Sequence, residues 1–139
     1  MPRPDVRDER KPQILDAAAR VFVRKGLAAA RMEDIAREAQ LSIGGVYWYY
    51  KSKDEVIHDL MARFIDPDLA WLRALLPAEG TVADRLGGYL NTWAAPTQAM
   101  LPLTYEFYNL AARDALARAH IRAYLQAYQE ILGELIQQG

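Results

Sequence analysis

The sequence predicts an all-α protein with a small N-terminal helical domain and a larger helical body behind it. Apolar residues recur at helical spacing along most of the 139 residues, and no segment keeps the strict alternation of a half-buried strand. Capping residues, glycines and prolines divide this pattern into helix-length pieces. With 52% hydrophobic and 25% charged residues, the composition is that of a globular chain.

The first helix is predicted from Asp8 to Lys25, with Gly26 as its C-terminal stop. Its apolar stripe follows the i, i+4, i+7 spacing of one helix face. The members of the stripe are Ile14, Leu15, Ala18, Val21 and Phe22.

Three more helix starts follow before residue 70. A short second helix is predicted over residues 32–39, and Ser42 is placed as the N-cap of a third helix beginning near Ile43. Ser52 and Glu55 have the spacing of a capping box and predict a fourth helix. Asp66-Pro67 is expected to kink or restart that helix.

The body continues with three predicted helices. Thr81 should cap the fifth, Pro96 should end it, and Pro102 should bend the sixth. Asp114 should cap a long final helix. Its core face is predicted to carry Leu116, Ala123, Ala127, Ile131 and Leu135.

Composition excludes several classes of protein. The chain lacks cysteine, a signal-peptide pattern and an apolar run of membrane-spanning length, so we expect a soluble, cytoplasmic protein without a membrane partner. No nucleophile–base pair, P-loop or dinucleotide motif occurs, and neither histidine has partners at metal-ligand spacing. We therefore expect no enzyme activity, no cofactor and no metal site.

Positive charge is concentrated near the N-terminus although the whole chain carries −1. Residues 1–25 hold seven basic and four acidic side chains, and all lysines lie at or before Lys53. A contact with a polyanion is therefore expected at this end.

Four consecutive aromatic residues, Tyr47 to Tyr50, follow two glycines in the third helix. Successive helical side chains turn by about 100°, so these rings cannot all face one core. Val46 and Tyr50 should pack inward, which leaves the other three to divide between outward contacts and the core edge. Gly44 and Gly45 cost helix propensity but would let the helix N-terminus approach a phosphate or a groove closely.

Three short helices with a tight turn between the last two have the layout of a helix-turn-helix, whose last helix enters the DNA major groove. The segments "ILDAAARVFVRKG" and "MEDIAREAQLSIGGVYWYYKSKDEV" resemble the DNA-binding domain of the TetR (tetracycline-repressor-like) family. The resemblance covers about the first 60 residues, and the later part is only weakly similar to the family.

The resemblance implies a DNA-binding domain over residues 1–50 and an effector-binding and dimerisation domain over residues 51–139. It implies a homodimeric repressor that leaves a double-stranded DNA operator when a small molecule binds. By motif position, the DNA-binding candidates are Arg31, Ser42, Ile43, Gly44, Gly45, Tyr47, Trp48, Tyr49 and Lys53.

Four positions within the first 60 residues depart from the usual family pattern, and so does the length. Ile43 and Gly45 stand where many members place polar residues that read bases. Gln40 stands where a glycine is usual and would need a left-handed backbone, and Arg31 replaces the usual Ser or Thr cap. Family members usually carry further helices after the last one predicted here, so we expect the second domain to be incomplete at its C-terminus.

The aromatic-rich body suggests an apolar pocket with hydroxyl groups at its wall, suited to a small apolar or aromatic effector. The alternative function is a helical small-molecule carrier or sensor that keeps the fold without reading DNA. The ligand-binding candidates are Tyr89, Trp93, Met100, Tyr105, Tyr108 and Tyr124.

Overall fold

The computed structural model describes the backbone of residues 6–139 and the side chains of residues 10–92 and 100–139. Over these residues it is helical throughout. The elements are α1 (Val6–Ala29), α2 (Met32–Glu38), α3 (Ile43–Tyr49), α4 (Lys53–Ala74), α5 (Val82–Ala111) and α6 (Ala115–Gln138). The predicted all-α fold is confirmed.

The chain divides into two compact units, Met1–Met61 and Ala62–Gly139, and the division falls inside α4. The first unit therefore contains α1 to α3 and the first turns of α4. The boundary predicted at residue 50 marks the end of the helix-turn-helix segment, whereas the compact unit extends further.

The first unit has an apolar core. Its largest fully buried side chains are Phe22, Ile14, Ile35, Leu60, Met61, Val21, Val46 and Val56. The predicted stripe of α1 thus faces this core, and Gly26 breaks α1 with a φ of 78°, as expected for a glycine at a helix end. Gln13 fastens the end of α2 to α1, because its Nε2 donates to the carbonyl of Ala39 at 2.8 Å.

The N-caps predicted from the sequence agree with the observed helix starts. Ser42 accepts a hydrogen bond from the Gly45 amide, Thr81 from Asp84 and Asp114 from Ala117, so all three predicted N-caps are confirmed. At α4 the Glu55 amide donates to Ser52 Oγ. The Glu55 carboxylate accepts from the amide of Lys51, one residue before the cap that the capping-box pattern predicts.

The predicted helix end at Pro96 and the predicted restart at Asp66 are wrong. α4 runs through Pro67 without a restart at Asp66, and α5 is a single helix through Pro96 and Pro102. Each proline removes one backbone donor. The remaining hydrogen bonds of these 22- and 30-residue helices, with burial of side chains such as Leu103, outweigh that loss.

The predicted core face of α6 is confirmed at Ile131 and Leu135 and is wrong at Leu116 and Ala123. Leu116 is 63% exposed and Ala123 is exposed, whereas Ala117, Ile121, Ile131 and Leu135 are buried. The two sets agree in the second half of the helix, and in the first half Ala117 and Ile121 are buried instead of the predicted residues. Ile131 and Leu135 pack with Leu72 of α4 and Tyr89 of α5 in the core of the second unit.

Candidate nucleic-acid interface and aromatic cluster

The third helix of the first unit divides its aromatic side chains between inside and outside. Val46 is fully buried and Tyr50 is 3% exposed, which confirms their predicted inward packing. Tyr47 is 41% exposed and Trp48 61% exposed, and Tyr49 is half-buried.

One face of α3 is open to solvent. Ile43, Gly44, Tyr47 and Trp48 occupy positions i, i+1, i+4 and i+5, which share one side of a helix, and all four are exposed. We call these four residues the outer face of α3. It presents two large aromatic rings and one aliphatic side chain beside a glycine.

The two glycines have different surroundings. A Cβ atom built on Gly44 would have nothing within 4 Å, so packing inside the protein does not require a glycine there. A Cβ atom on Gly45 would lie 3.0 Å from Ser42 Oγ, the atom that caps the helix. Gly45 therefore makes room for the cap, and Gly44 has no such internal reason.

The turn between α2 and α3 has the left-handed backbone that its sequence predicted. Gln40 has a φ of 57° and is the one non-glycine residue with positive φ in the described backbone. Left-handed helical conformation costs an L-residue about 1–2 kcal/mol. The turn therefore stores strain next to the outer face of α3.

The start of α2 is capped without help from the Arg31 side chain. A guanidinium group is only a donor and cannot accept an amide hydrogen bond. Instead the Asp34 carboxylate accepts from the Arg31 amide at 3.0 Å, and the Arg31 carbonyl accepts from the Asp34 amide at 3.0 Å. The Arg31 side chain is exposed.

Three basic residues of α1 are paired with acids of α2. Arg20 and Arg24 both bond Glu38, at 2.8 and 3.0 Å, and Lys25 bonds Asp34 at 2.9 Å. The hydrogen bonds from Arg24 and Arg20 lower the pKa of Glu38, and those from Lys25 and the Arg31 amide lower the pKa of Asp34. Much of the local positive charge counted in the sequence is therefore offset within the domain.

Lys53 begins α4 and reaches back to the end of α1. Its ammonium group donates to the carbonyl oxygens of Leu27 at 2.6 Å, Ala28 at 3.2 Å and Ala30 at 3.0 Å. An ammonium group has three donors. The phosphate contact predicted for Lys53 would therefore compete with three bonds inside the protein.

In the second unit, a carboxylate joins two of the predicted ligand residues. Tyr89 donates to one oxygen of Asp68 and Tyr124 to the other, each at 2.7 Å. Burial, and next the hydrogen bond to Asp68, raises the pKa of both phenols above its usual value. We call Asp68, Tyr89 and Tyr124 the tyrosine–aspartate cluster.

Further rings extend this cluster. Trp71 stacks edge-on against Tyr89 with ring centroids 5.3 Å apart, and Tyr128 lies 5.9 Å from Tyr124. Sequence reasoning placed both in the aromatic-rich body but missed Asp68. Helical spacing was the available signal, because Asp68 lies three residues before Trp71 and four before Leu72. These three side chains therefore share one side of α4.

The remaining ligand candidates differ in exposure. Tyr105 and Tyr108 are exposed and Met100 is partly buried. The side chain of Trp93 lies outside the described residues. Among the described helices, none is long and apolar enough to cross a membrane.

Comparison with known proteins identifies the first unit. Residues 14–60 match the family model described as bacterial regulatory proteins, tetR family. YfiR of Bacillus subtilis (strain 168), named as an uncharacterized HTH-type transcriptional regulator, is 27% identical over 137 residues. This match covers 96% of the chain and 66% of YfiR, so the chain spans just under two thirds of that relative.

Solved structures extend the similarity along the chain. A TetR-family member from Streptomyces coelicolor A3 (SCO1917) has a TM-score of 0.75 and 25% identity, over 91% of this chain and 75% of that one. A putative transcriptional regulator from Saccharomonospora viridis, solved in complex with choline, has a TM-score of 0.78 and 18% identity. That match covers 95% of this chain and 72% of that one, and it shows the fold alone.

The matched proteins are named as transcriptional regulators, which supports the prediction that the chain is not an enzyme. The family model covers both segments that carry the resemblance in the sequence, residues 14–26 and 32–56. Residues 14–60 therefore match the tetR family of bacterial regulatory proteins, and along its length the chain is similar to proteins named as transcriptional regulators.

Proposed function

We propose that the protein is a homodimeric, ligand-responsive repressor that reads double-stranded DNA with the outer face of α3. The observation that supports this most directly is the exposure of Ile43, Tyr47 and Trp48 together on one side of a capped helix. Large apolar side chains on one exposed face favour a binding surface. In a helix-turn-helix the last helix is the one that enters the major groove.

The contacts divide by chemistry. Ile43 suits apolar contact with a thymine methyl group, while Tyr47 and Trp48 offer ring edges and polar hydrogens to the groove wall and the phosphates. Gly44 lets the backbone approach closely. Ser42 and Arg31 are exposed at the starts of α3 and α2, where a phosphate would meet free amides and a guanidinium group.

The number of phosphate contacts should be small. Because Arg20, Arg24 and Lys25 are paired with acids, the exposed cations most available to phosphates in the described part of this unit are Arg10, Lys11, Arg31 and Lys51. Affinity for DNA falls with salt in proportion to the phosphates neutralised. We therefore expect the DNA affinity of each helix-turn-helix unit to fall measurably, but not steeply, as the salt concentration rises.

In the second unit, the tyrosine–aspartate cluster and its neighbouring rings are proposed to bind the effector. Its aromatic walls suit a small apolar or aromatic molecule that displaces or exchanges the tyrosine hydrogen bonds to Asp68. The S. viridis structure holds choline. A cationic head group is therefore included among the compounds to test, since aromatic rings also bind ammonium groups.

The alternative is a helical carrier or sensor that keeps the fold without reading DNA. The apolar tip of α3 and the paired basic residues favour it. Both functions predict effector binding, so only DNA binding separates them. A repressor acts on chromosomal DNA, which places the proposed site of action in the cytoplasm.

The test is fluorescence anisotropy with labelled duplex DNA from upstream of the protein's own gene, at two salt concentrations and with excess competitor DNA. A homodimer should bind two half-sites whose centres lie about 34 Å apart on the duplex. Trp48→Ala should weaken binding. Tyr105→Ala, which removes an equally exposed ring from α5, is the matched control and should leave DNA affinity unchanged.

Adding effector candidates to the preformed complex tests release. Neutral aromatic compounds and choline are titrated separately while anisotropy and tryptophan fluorescence are followed. Ligand binding with no DNA affinity in any condition would support the carrier instead of the repressor.

A further inference from the structure

We infer that Lys53 is a positioning residue that closes the helix-turn-helix into a loop, rather than a phosphate contact. The inference deepens the proposed function, on which it rests for its DNA readout. It starts from the three carbonyl oxygens that Lys53 Nζ contacts, at 2.6, 3.2 and 3.0 Å.

The accepting carbonyls lie at the C-terminal end of α1, where the regular helical hydrogen bonds end. α1 is broken at Gly26, and Leu27, Ala28 and Ala30 form the segment that leads from this break into α2. Carbonyls at a helix end lack the amide partners of a helix interior, and a lysine is a favourable partner for them. The side chain of Lys53 is half-buried while it makes these bonds.

The bonds of Lys53 join parts of the chain that are far apart in sequence. The accepting carbonyls lie 26, 25 and 23 residues earlier in sequence. The intervening residues contain all of α2, the strained turn at Gln40 and all of α3. Lys53 therefore fastens together the two ends of the segment that carries the outer face of α3.

Other contacts hold the interior of this loop. Gln13 bonds the carbonyl of Ala39, and Tyr50 donates to Asp59 within the first turns of α4. The end of α3 is thus connected to α4, and the start of α4 to the end of α1. A change at Lys53 should shift α3 while the apolar core of the unit stays intact.

The arrangement of the three carbonyl oxygens suits a lysine better than an arginine. Three carbonyls converge on one ammonium group, whereas a planar guanidinium group spreads its donors in a fork. A phosphate contact has the opposite preference, because a guanidinium group binds phosphate at least as well as an ammonium group does. Lys53→Arg therefore keeps the charge and a phosphate contact but loses the closure of the loop.

The experiment compares Lys53→Arg, Lys53→Met and wild type on the upstream duplex, over a series of salt concentrations. If Lys53 closes the loop, both variants lose DNA affinity by about tenfold or more, and the slope of log affinity against log salt stays unchanged. If Lys53 contacts a phosphate, Lys53→Arg keeps its affinity, and Lys53→Met lowers the slope by about one. That result would overturn the inference.

Two controls separate positioning from loss of folding. Ile57→Val trims a buried side chain one turn further along α4 and should lower the melting temperature without changing DNA affinity below the transition. Hydrogen exchange of the α3 amides is measured without DNA. It should accelerate in both Lys53 variants and stay at the wild-type rate in Ile57→Val.

The exchange measurement also keeps the two proposals apart. If wild type fails to bind DNA, the proposed function fails, but faster exchange confined to residues 27–52 in both Lys53 variants would still establish the closure. Unchanged α3 exchange in Lys53→Met would overturn the closure whatever the DNA result.

Discussion

Replacing Gly44 by alanine should make the protein more stable and, at the same time, a weaker DNA binder. A Cβ atom at Gly44 meets nothing within 4 Å, so the methyl group causes no clash inside the protein. Alanine is favoured over glycine in a helix by up to about 1 kcal/mol, and we expect about half of this in a first turn. The thermal midpoint of the N-terminal unit should therefore rise by a few degrees.

The same methyl group should weaken DNA binding. If the backbone at Gly44 approaches the groove closely, the methyl group must push α3 outward and weaken its contacts. Loss of one good base contact corresponds to about 1–3 kcal/mol, or about 5- to 150-fold in Kd. Circular dichroism melting and anisotropy titration measure the two effects on the same samples.

Two further glycines provide controls. Gly87→Ala adds a methyl group in open space on α5 and should stabilise the protein without changing DNA affinity. Gly45→Ala places its Cβ 3.0 Å from Ser42 Oγ and should lose part of a helix cap worth about 1 kcal/mol. Wild-type DNA affinity in a stably folded Gly44→Ala variant would refute the close approach of α3 to DNA.

Three other variants test the turn, the ion pairs and the tyrosine–aspartate cluster. Gln40→Gly should raise the free energy of unfolding by about 1 kcal/mol in urea titrations, because φ is 57° there, and an unchanged midpoint would contradict the strain. The folded-state pKa values of Asp34 and Glu38 are lowered from 3.8 and 4.5, so the stability that their ion pairs contribute is present above these ordinary values and is lost as pH falls through the lowered folded-state values. Urea midpoints at acidic pH should fall less steeply in Glu38→Gln than in wild type, and parallel curves would count against the ion pairs. The pKa values of Tyr89 and Tyr124 are raised, so stability should fall as pH rises above 10, where the unfolded phenols ionise first. In Tyr124→Phe this alkaline loss should be smaller, and equal alkaline melting of variant and wild type would argue against the hydrogen bond to Asp68.

Local signals carried most of the fold prediction. Ser42, Thr81 and Asp114 are short polar side chains directly before apolar periods, and each caps the helix that it was predicted to begin. The prolines gave wrong helix boundaries, since α4 continues through Asp66 and Pro67 and α5 continues through Pro96. The local cost of a proline is visible in the sequence, but the packing that outweighs it comes from residues far along the chain.

The candidate sites show the same limit. The inward packing of Val46 and Tyr50 follows from helical spacing, and it left Tyr47 and Trp48 for the outer face of α3. The bonds of Lys53 to residues 27–30 join positions more than 20 residues apart, and no local pattern predicts them. In α6, apolar residues lie on more than one side of the helix, so helical spacing alone assigned Leu116 and Ala123 wrongly to the core.

The bonds at Lys53 also affect its chemical reactivity. Lysines occur only at positions 11, 25, 51 and 53, so reagents that acylate their amines report on the first unit alone. An ammonium group that donates to three carbonyls must leave them and lose a proton before it can attack such a reagent. Labelling of Lys53 should therefore lag behind that of the exposed Lys51, and its rate gives a direct record of how often the helix-turn-helix opens.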